Sequence, residues 1–328
     1  MNGENMNLVA LFTFCLVASI STSALAQKTD FPNKPIHVVV TFPPGGSTDA
    51  MMRMLAPRLS EKLGQAILID NRPGAGGNIG LTQVAKATAD GHTVGVGAAG
   101  GLTANSSLYP QMPFDTLKDF KPISMMAAIP FVIVAAPNFP AKNLQQLFAL
   151  AKTQPGQLSM GHGGNGTAMH LSAALLEQMA DIRLVQVPYK GSGPAAIDVL
   201  AGQIKLAVVD LSAALPHLKA GKLQAFAVTS PQRLPTLPDV PTVSESGLPG
   251  YDSTGWFGMV APTGTPVAVI TRLNLEINAA LREESIQIAM RNLGMEPAPG
   301  TVESFDAYIR SEILKWSRVI RQANIKLE

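Results

Sequence analysis

The apolar positions of this 328-residue chain fall into short continuous runs that alternate with stretches spaced for a helix. Ile36-His37-Val38-Val39-Val40 has the length of a strand. Met51, Leu55, Leu59 and Leu63 then recur every four residues, one helical face, with Arg53, Arg58, Glu61 and Lys62 on the other. Between the two lies Phe42-Pro43-Pro44-Gly45-Gly46-Ser47-Thr48-Asp49. Two prolines cannot continue a ladder, and two glycines reach backbone angles closed to other residues, so the pattern predicts strand, tight loop and helix. Ser47 or Thr48 is the expected cap. A helix start carries free N–H groups and about half a positive charge, which on glycine-rich backbone makes an anion site.

The same device recurs. A strand over 66–70 precedes a glycine-rich turn over 71–80 and a helix over 81–87; a strand over 93–97 ends in Ala98-Ala99-Gly100-Gly101. From Phe131 the pattern restarts, with a strand over 131–136, a helix over 144–152 and a strand over 158–160. The loop Gly161-His162-Gly163-Gly164-Asn165-Gly166-Thr167 then enters a helix over 168–179. A strand over 184–187 leads through Pro188-Tyr189-Lys190-Gly191-Ser192-Gly193-Pro194 to a helix over 195–201. A strand over 205–209 leads to Asp210 and a segment over 211–219, and 223–229 closes the set. Residues 231–249 read as a proline-rich connector, followed by a strand over 256–261 and helices over 267–283 and 302–323. Such alternation predicts parallel strands flanked by helices, with ligands outside the carboxyl ends of the strands.

With 46% hydrophobic and 15% charged residues, the chain can bury the cores of two domains. A net charge of +2, no block of like charges and 5% aromatic residues argue against nucleic acid as a partner. Residues 8–20 are an apolar run followed by Ala24 and Ala26 at small-residue cleavage positions, so export is expected, with the mature chain starting near Gln27. The alternative is a membrane anchor, for which the run is shorter than the roughly 20 residues a span needs. Cys15, the single cysteine, lies in that run; the mature chain would have no disulfide and no thiolate metal site.

Catalytic motifs are weak. Gly95-Val96-Gly97-Ala98-Ala99-Gly100, with Asp115 downstream, matches a dinucleotide fingerprint, but residues 101–110 are too broken by Gly, Asn, Ser and Pro for the long helix it requires. No Walker loop occurs, and His162-Gly163-Gly164 has no G-x-S-x-G nucleophile elbow to serve. Among His37, His92, His162, His170 and His217 only the pair at 162 and 170 is close in sequence, so neither a metal nor a cofactor is expected. His170 reads as structural or as a ligand contact, Asp210 as a loop brace or an acceptor for a ligand donor, and Asp49 as a cap or a contact. Ser47, Thr48, Thr167 and Ser192 are stronger candidates, because they recur at the same topological place.

Taken together, Pro35-Ile36 with 42–49, 71–80 with Asp90-Gly91, 105–109 with Lys118-Asp119-Phe120, Gly164 to Thr167 with His170-Leu171, 187–191, Leu215-Pro216-His217 with 220–223, and Gly255-Trp256-Phe257-Gly258 resemble the Bug family of periplasmic receptors of tripartite tricarboxylate transporters. The resemblance spans essentially the whole mature chain. It implies an α/β, two-domain periplasmic binding protein, Venus-flytrap and type II-like, with the ligand cleft between the domains. Residues 1–26 would be a signal peptide, 27–128 with 248–328 domain 1, and 129–247 domain 2. It also implies a receptor, expected to be a monomer, that hands a small organic anion to a membrane permease of large and small subunits, or reports it to a sensor protein; an exported enzyme using the same cleft is the further alternative, disfavoured because the sequence offers no activated nucleophile or acid–base pair, so no enzyme is expected.

Carried over residue by residue, the resemblance implicates Phe42, Gly45, Gly46, Ser47, Thr48 and Asp49 in the first loop, Ala75 in the second and Ala98 in the third. In the second domain it implicates Gly163, Gly164, Asn165 and Thr167, then Lys190, Gly191, Ser192, Gly193 and Asp210, with Trp256 and Phe257 at the rim. Two positions depart from the family pattern: His162 replaces a small residue and Ala98 a common Thr. His162 follows the strand over 158–160 directly, so its ring is expected to face the cleft, gain a proton beside a bound anion and favour binding at pH 5.5 over pH 8. The alternative is a ring folded back over its own loop. Hydrogen bonds to a charged group contribute roughly 1.5–3 kcal/mol each, so about four to six reach the roughly 8 kcal/mol of a micromolar site after ordering costs, without arginine.

Overall fold

The computed structural model describes residues 31–325, so the expected leader, the cleavage point at Gln27 and Cys15 lie outside the described residues. Within those residues no helix is long and apolar enough to cross a membrane.

Strands β1 (Ile36–Val40), β2 (Ile67–Asn71) and β3 (Thr93–Ala98) pair in parallel, Val38 lying level with Ile69 on one side and Val94 on the other. Helices α1 (Ser47–Leu63) and α2 (Asn78–Ala85) form the crossovers, and Met51, Leu55, Leu59 and Leu63 are buried as their spacing predicts. Three further strands, β4 (Phe120–Ile129), β10 (Gly255–Pro262) and β11 (Glu296–Pro297), complete a six-stranded sheet in the order β11-β4-β10-β3-β1-β2. Here the structure departs from the sequence pattern, because β10 runs antiparallel to both β3 and β4. The ten residues of β4 carry no clean alternation: the pairing with β10 shifts register at Phe257/Gly258 and Met259/Val260, and each bulge changes which residues face the core.

After Pro130 the chain enters a second sheet, β7-β6-β8-β5-β9, made of β5 (Phe131–Ala135), β6 (Ser159–His162), β7 (Val185–Pro188), β8 (Leu206–Asp210) and β9 (Gln224–Val228). β6 is parallel to β7 and β8, whereas β5 is antiparallel to β8 and β9. Strand β8 shows a sheet covered on both faces. Leu206 and Val208 join a core with Leu147 and Leu176, while Ala207 and Val209 join one with Val199 and Ala214. The covering helices are α4 (Leu144–Thr153), α5 (Ala168–Ala180), α6 (Ser192–Leu200) and α7 (Leu211–Lys219).

The two crossings between the sheets are tied together. Buried Thr229 accepts at Oγ1 from Phe131 N (3.1 Å), on the outgoing strand, and its carbonyl accepts from Ser253 N (3.0 Å) on the returning segment. Helices α8 (Val267–Leu281), α9 (Glu284–Asn292) and α10 (Val302–Gln322) finish the first lobe.

Residues 101–110 form no long helix, as their composition predicts: a wide turn at Gly100–Ala104 runs into the four-residue α3 (Asn105–Leu108), and Tyr109 is extended. Packing holds these short turns against their propensity, since Ala104 and Leu108 lie in one buried cluster with Leu171 of α5 and Trp316, Val319 and Ile320 of α10. Thr103 Oγ1 donates back to Ala99 O (2.5 Å), which ties the polar side chain to its own turn.

Candidate functional site

All the loops singled out in the sequence leave the carboxyl ends of the parallel strands β1–β3 and β6–β8. The first loop is built around Asp49. Its buried carboxylate accepts from Gly45 N (2.9 Å), Arg53 Nε (2.8 Å) and Asn71 Nδ2 (3.0 Å), while Asn71 Nδ2 also donates to Phe42 O (3.1 Å). Arg53 foremost, with the Gly45 and Asn71 donors, holds the Asp49 carboxyl at about 2. The donors come from the loop, from α1 and from the end of β2, so Asp49 is a brace between the three, and its carboxylate is not presented to a ligand. Asn71 was missed in the sequence, where it read only as turn chemistry.

The amides of Gly45 and Gly46 are also spent, the second on Pro43 O at 3.3 Å. The cap position is occupied by Gly46, with no side-chain cap from Ser47 or Thr48. The first intrahelical bond is Ala50 N to Gly46 O (2.9 Å), which leaves the N–H groups of Ser47, Thr48 and Asp49 without a partner among the described residues. The anion-binding capacity expected of the glycines therefore sits one to three residues later. Phe42 packs near Phe257, with ring centroids 6.3 Å apart. Trp256 and Phe257, expected at the rim, are both buried: the strand alternation that turns Phe257 toward Phe42 turns Trp256 toward α10, where its Nε1 donates to Glu312 Oε2 (3.4 Å).

The second loop holds Ala75 exposed, with φ at 48°. Asn105 Nδ2 donates to Asn78 Oδ1 (2.8 Å) and Gly76 O (3.3 Å), tying this loop to the segment after the third; both asparagines lie in the family-like stretches 71–80 and 105–109, but neither was named as a site residue. Ala98 ends β3, half-buried. A Cβ placed on Gly100 would lie 3.1 Å from Gly166 O, so the loop after Ala98 meets the loop of the second sheet.

In that loop Thr167 caps α5, accepting from His170 N (3.3 Å), and its hydroxyl donates to Gly164 O (2.7 Å). Gly164 has φ +123°, and a Cβ there would stand 3.0 Å from Tyr189 O. Gly191 N donates to Gly163 O (3.2 Å) and Tyr189 N to His162 O (2.9 Å), so 162–167 and 189–191 form one unit. Tyr189 OH, bonded to Asp198 Oδ2 (2.6 Å), fixes it to α6. Asn165, Lys190 and Gly193 are exposed on this surface. Ser192 is buried, its hydroxyl donating to Met169 Sδ (3.0 Å) and accepting from Asp210 N (3.0 Å).

His162 is the main correction. β6 extends to His162, so the residue shares the face of Met160 and its ring turns under the loop. It is fully buried and stacked on His170, centroids 4.5 Å apart at 18°, with Nδ1 3.2 Å from Gly164 O. Among the described residues Nε2 has no partner. Burial, then the neighbouring His170, pushes the imidazole down to about 4, opposite to the expected rise. The ring is thus neutral throughout pH 5.5–8, and His162→Ser is expected to leave the pH profile of ligand affinity unchanged in that window. Calorimetry at both pH values on the two proteins checks this; a slope present only in the wild type would return His162 to the list of charge partners. Among the described residues no group of three metal-ligating side chains occurs.

Residues 51–325 match the family described as "Tripartite tricarboxylate transporter family receptor". Protein BugT of Bordetella pertussis is 35% identical over 325 residues, covering 99% of this chain and 100% of that protein. Among solved structures, Rpa4515 of R. palustris with adipate is 36% identical with a TM-score of 0.82, covering 90% of this chain and 100% of that one. MatC from Rhodopseudomonas palustris with bound malate is 33% identical with a TM-score of 0.78, covering 88% and 100%.

Proposed function

Because the chain belongs to the tripartite tricarboxylate transporter receptor family and shares the two-domain α/β periplasmic binding protein fold of its solved relatives, we propose that it is a periplasmic receptor that closes on a small mono- or dicarboxylate. It delivers that anion, as a monomer and without transforming it, to a membrane permease of a large and a small subunit. The observation that carries this reading is the unpaired first turn of α1: three N–H groups on a 17-residue helix, held in place by a brace whose own charge is already matched. The start of α5 is brought to the same edge by the contact of Gly100 with Gly166. Phe42 and Phe257 would form the apolar wall, with Gly163, Gly164, Asn165 and Thr167 opposite.

A thermal-shift screen of carboxylates tests this. A ligand at 100 times its dissociation constant adds about 2.7 kcal/mol, a rise of several degrees in melting temperature. Small-angle scattering with the best ligand is expected to show a smaller radius of gyration. A screen in which no carboxylate raises the melting temperature would sink the proposal.

A further inference from the structure

Met169, in the first turn of α5, reaches back over the loop from which its helix starts. Helical side chains lean toward the N-terminus of their own helix, and here that direction leads to Gly163. A Cβ on Gly163 would stand 2.2 Å from Met169 Cε and 3.0 Å from its Sδ. Gly163 is not among the glycines with positive φ, so its missing side chain serves space and not conformation. The same point lies 3.6 Å from Gly191 Cα, which puts the end of the methionine in the seam between 162–167 and 189–191. There the buried Ser192 hydroxyl donates to Sδ (3.0 Å) and fixes it.

This placement changes the surface that the second sheet presents. A ligand that approaches Gly163 meets the thioether before it meets backbone. The Ser192 hydroxyl is already engaged by Met169 and by Asp210 N (3.0 Å). A thioether has no donor and is a weak acceptor, so it offers a soft apolar stop in place of a polar partner. Met169 is only half-buried, so the chain itself leaves part of the side chain uncovered.

Resting on the receptor reading above, we propose that Met169 determines which carboxylates fit, by closing the second-lobe end of the cleft and so limiting the length of the ligand's carbon chain. The carboxylate occupies the first turn of α1, and the far end of an unbranched chain abuts the thioether. Met169 acts by volume: filling the space over Gly163 excludes any acid whose chain would need it.

The test is calorimetry with two homologous sets, the monocarboxylates from acetate to octanoate and the dicarboxylates from malonate to suberate. It is run at pH 8, where the acids are ionised and so is Asp210, whose carboxyl burial pushes up to about 6. In the wild type, affinity should climb about three- to fourfold for each methylene that fits, then fall at least about tenfold over the next one or two carbons. Met169→Ala removes Cγ, Sδ and Cε, and the optimum should move about two carbons longer, a gain of at least about tenfold for the acid at that length. Met169→Val keeps more of the packing and should move the optimum the same way by about one carbon; it decides should the alanine variant fail to fold. Met179→Ala, a half-buried methionine at the other end of α5, should leave the optimum in place. If the folded Met169 variants keep the wild-type optimum, or if Met179→Ala moves it equally, the role of Met169 is overturned and the receptor reading stands. If no acid of either set binds the wild type, both fall.

Discussion

Asp49→Ala is expected to weaken carboxylate binding at least about tenfold and to lower the unfolding free energy by about 2–3 kcal/mol. The carboxylate is buried and holds three elements at once: the loop through Gly45, the helix through Arg53 and the end of β2 through Asn71. Without it the Gly45 amide and the Asn71 side chain lose their acceptor, and the first turn of α1 is no longer fixed against β2. Arg53 is more than half exposed and finds water, which keeps the cost below that of breaking a fully buried pair. The pH signature has a definite sign. The folded pKa, about 2, lies below the ordinary 3.8, so the contribution is complete above pH 4 and fades as the pH falls toward 2. Urea unfolding of both proteins at pH 7 and pH 3 should show the gap narrowing with acid. Wild-type affinity in the variant would show that the loop holds its shape by other means.

Trp316→Ala is expected to cost more, about 3–5 kcal/mol. The ring is buried among Ala104, Leu108 and Leu171, so it joins the third loop, the C-terminal helix and the first helix of the second sheet that enters the candidate site. Its Nε1 donates to Glu312 Oε2 (2.9 Å), the same oxygen that receives Trp256 Nε1, and Lys315 pairs with the other oxygen. Truncation opens a cavity and leaves a buried acid with fewer donors. Trp316→Phe keeps most of the packing and isolates the N–H, for which about 1–2 kcal/mol is expected. Chemical denaturation separates the two variants; an alanine cost under about 1 kcal/mol would mean that α10 is held elsewhere.

Much of this fold was legible from periodicity. The four-residue spacing from Met51 to Leu63 and the recurring passage from strand through glycines to helix located α1, α5 and the loops before them. What escaped has physical causes. β4 is covered on both faces and bulged, so its sequence shows no alternation. The two short helical turns over 100–108 are held by burial against other helices, which local propensity does not reveal. For the site, the loops were identifiable but the duties within them were not. Gly45 and Gly46 looked like amide donors, yet their N–H groups serve the loop itself. His162 was misplaced because β6 ends two residues later than expected, and in a strand the parity of a residue decides its side of the sheet. The same rule sends Trp256 and Phe257 in opposite directions.

Buried His162 and half-buried Asp210 lie on one face of the second sheet, because Met160 pairs with Leu206, and that placement has a consequence for how acid acts on the whole molecule. Folding delays proton uptake by the imidazole from about 6.5 to about 4, so this group makes the native state weaker as the pH falls through that interval. Folding advances proton uptake by the carboxyl from 3.8 to about 6, so the second group makes the native state stronger over nearly the same interval. Each slope amounts to as much as about 3 kcal/mol, and their signs are opposite. The native chain thus takes up one proton on Asp210 where the unfolded chain takes up one on His162, and the two penalties level each other between pH 4 and pH 6.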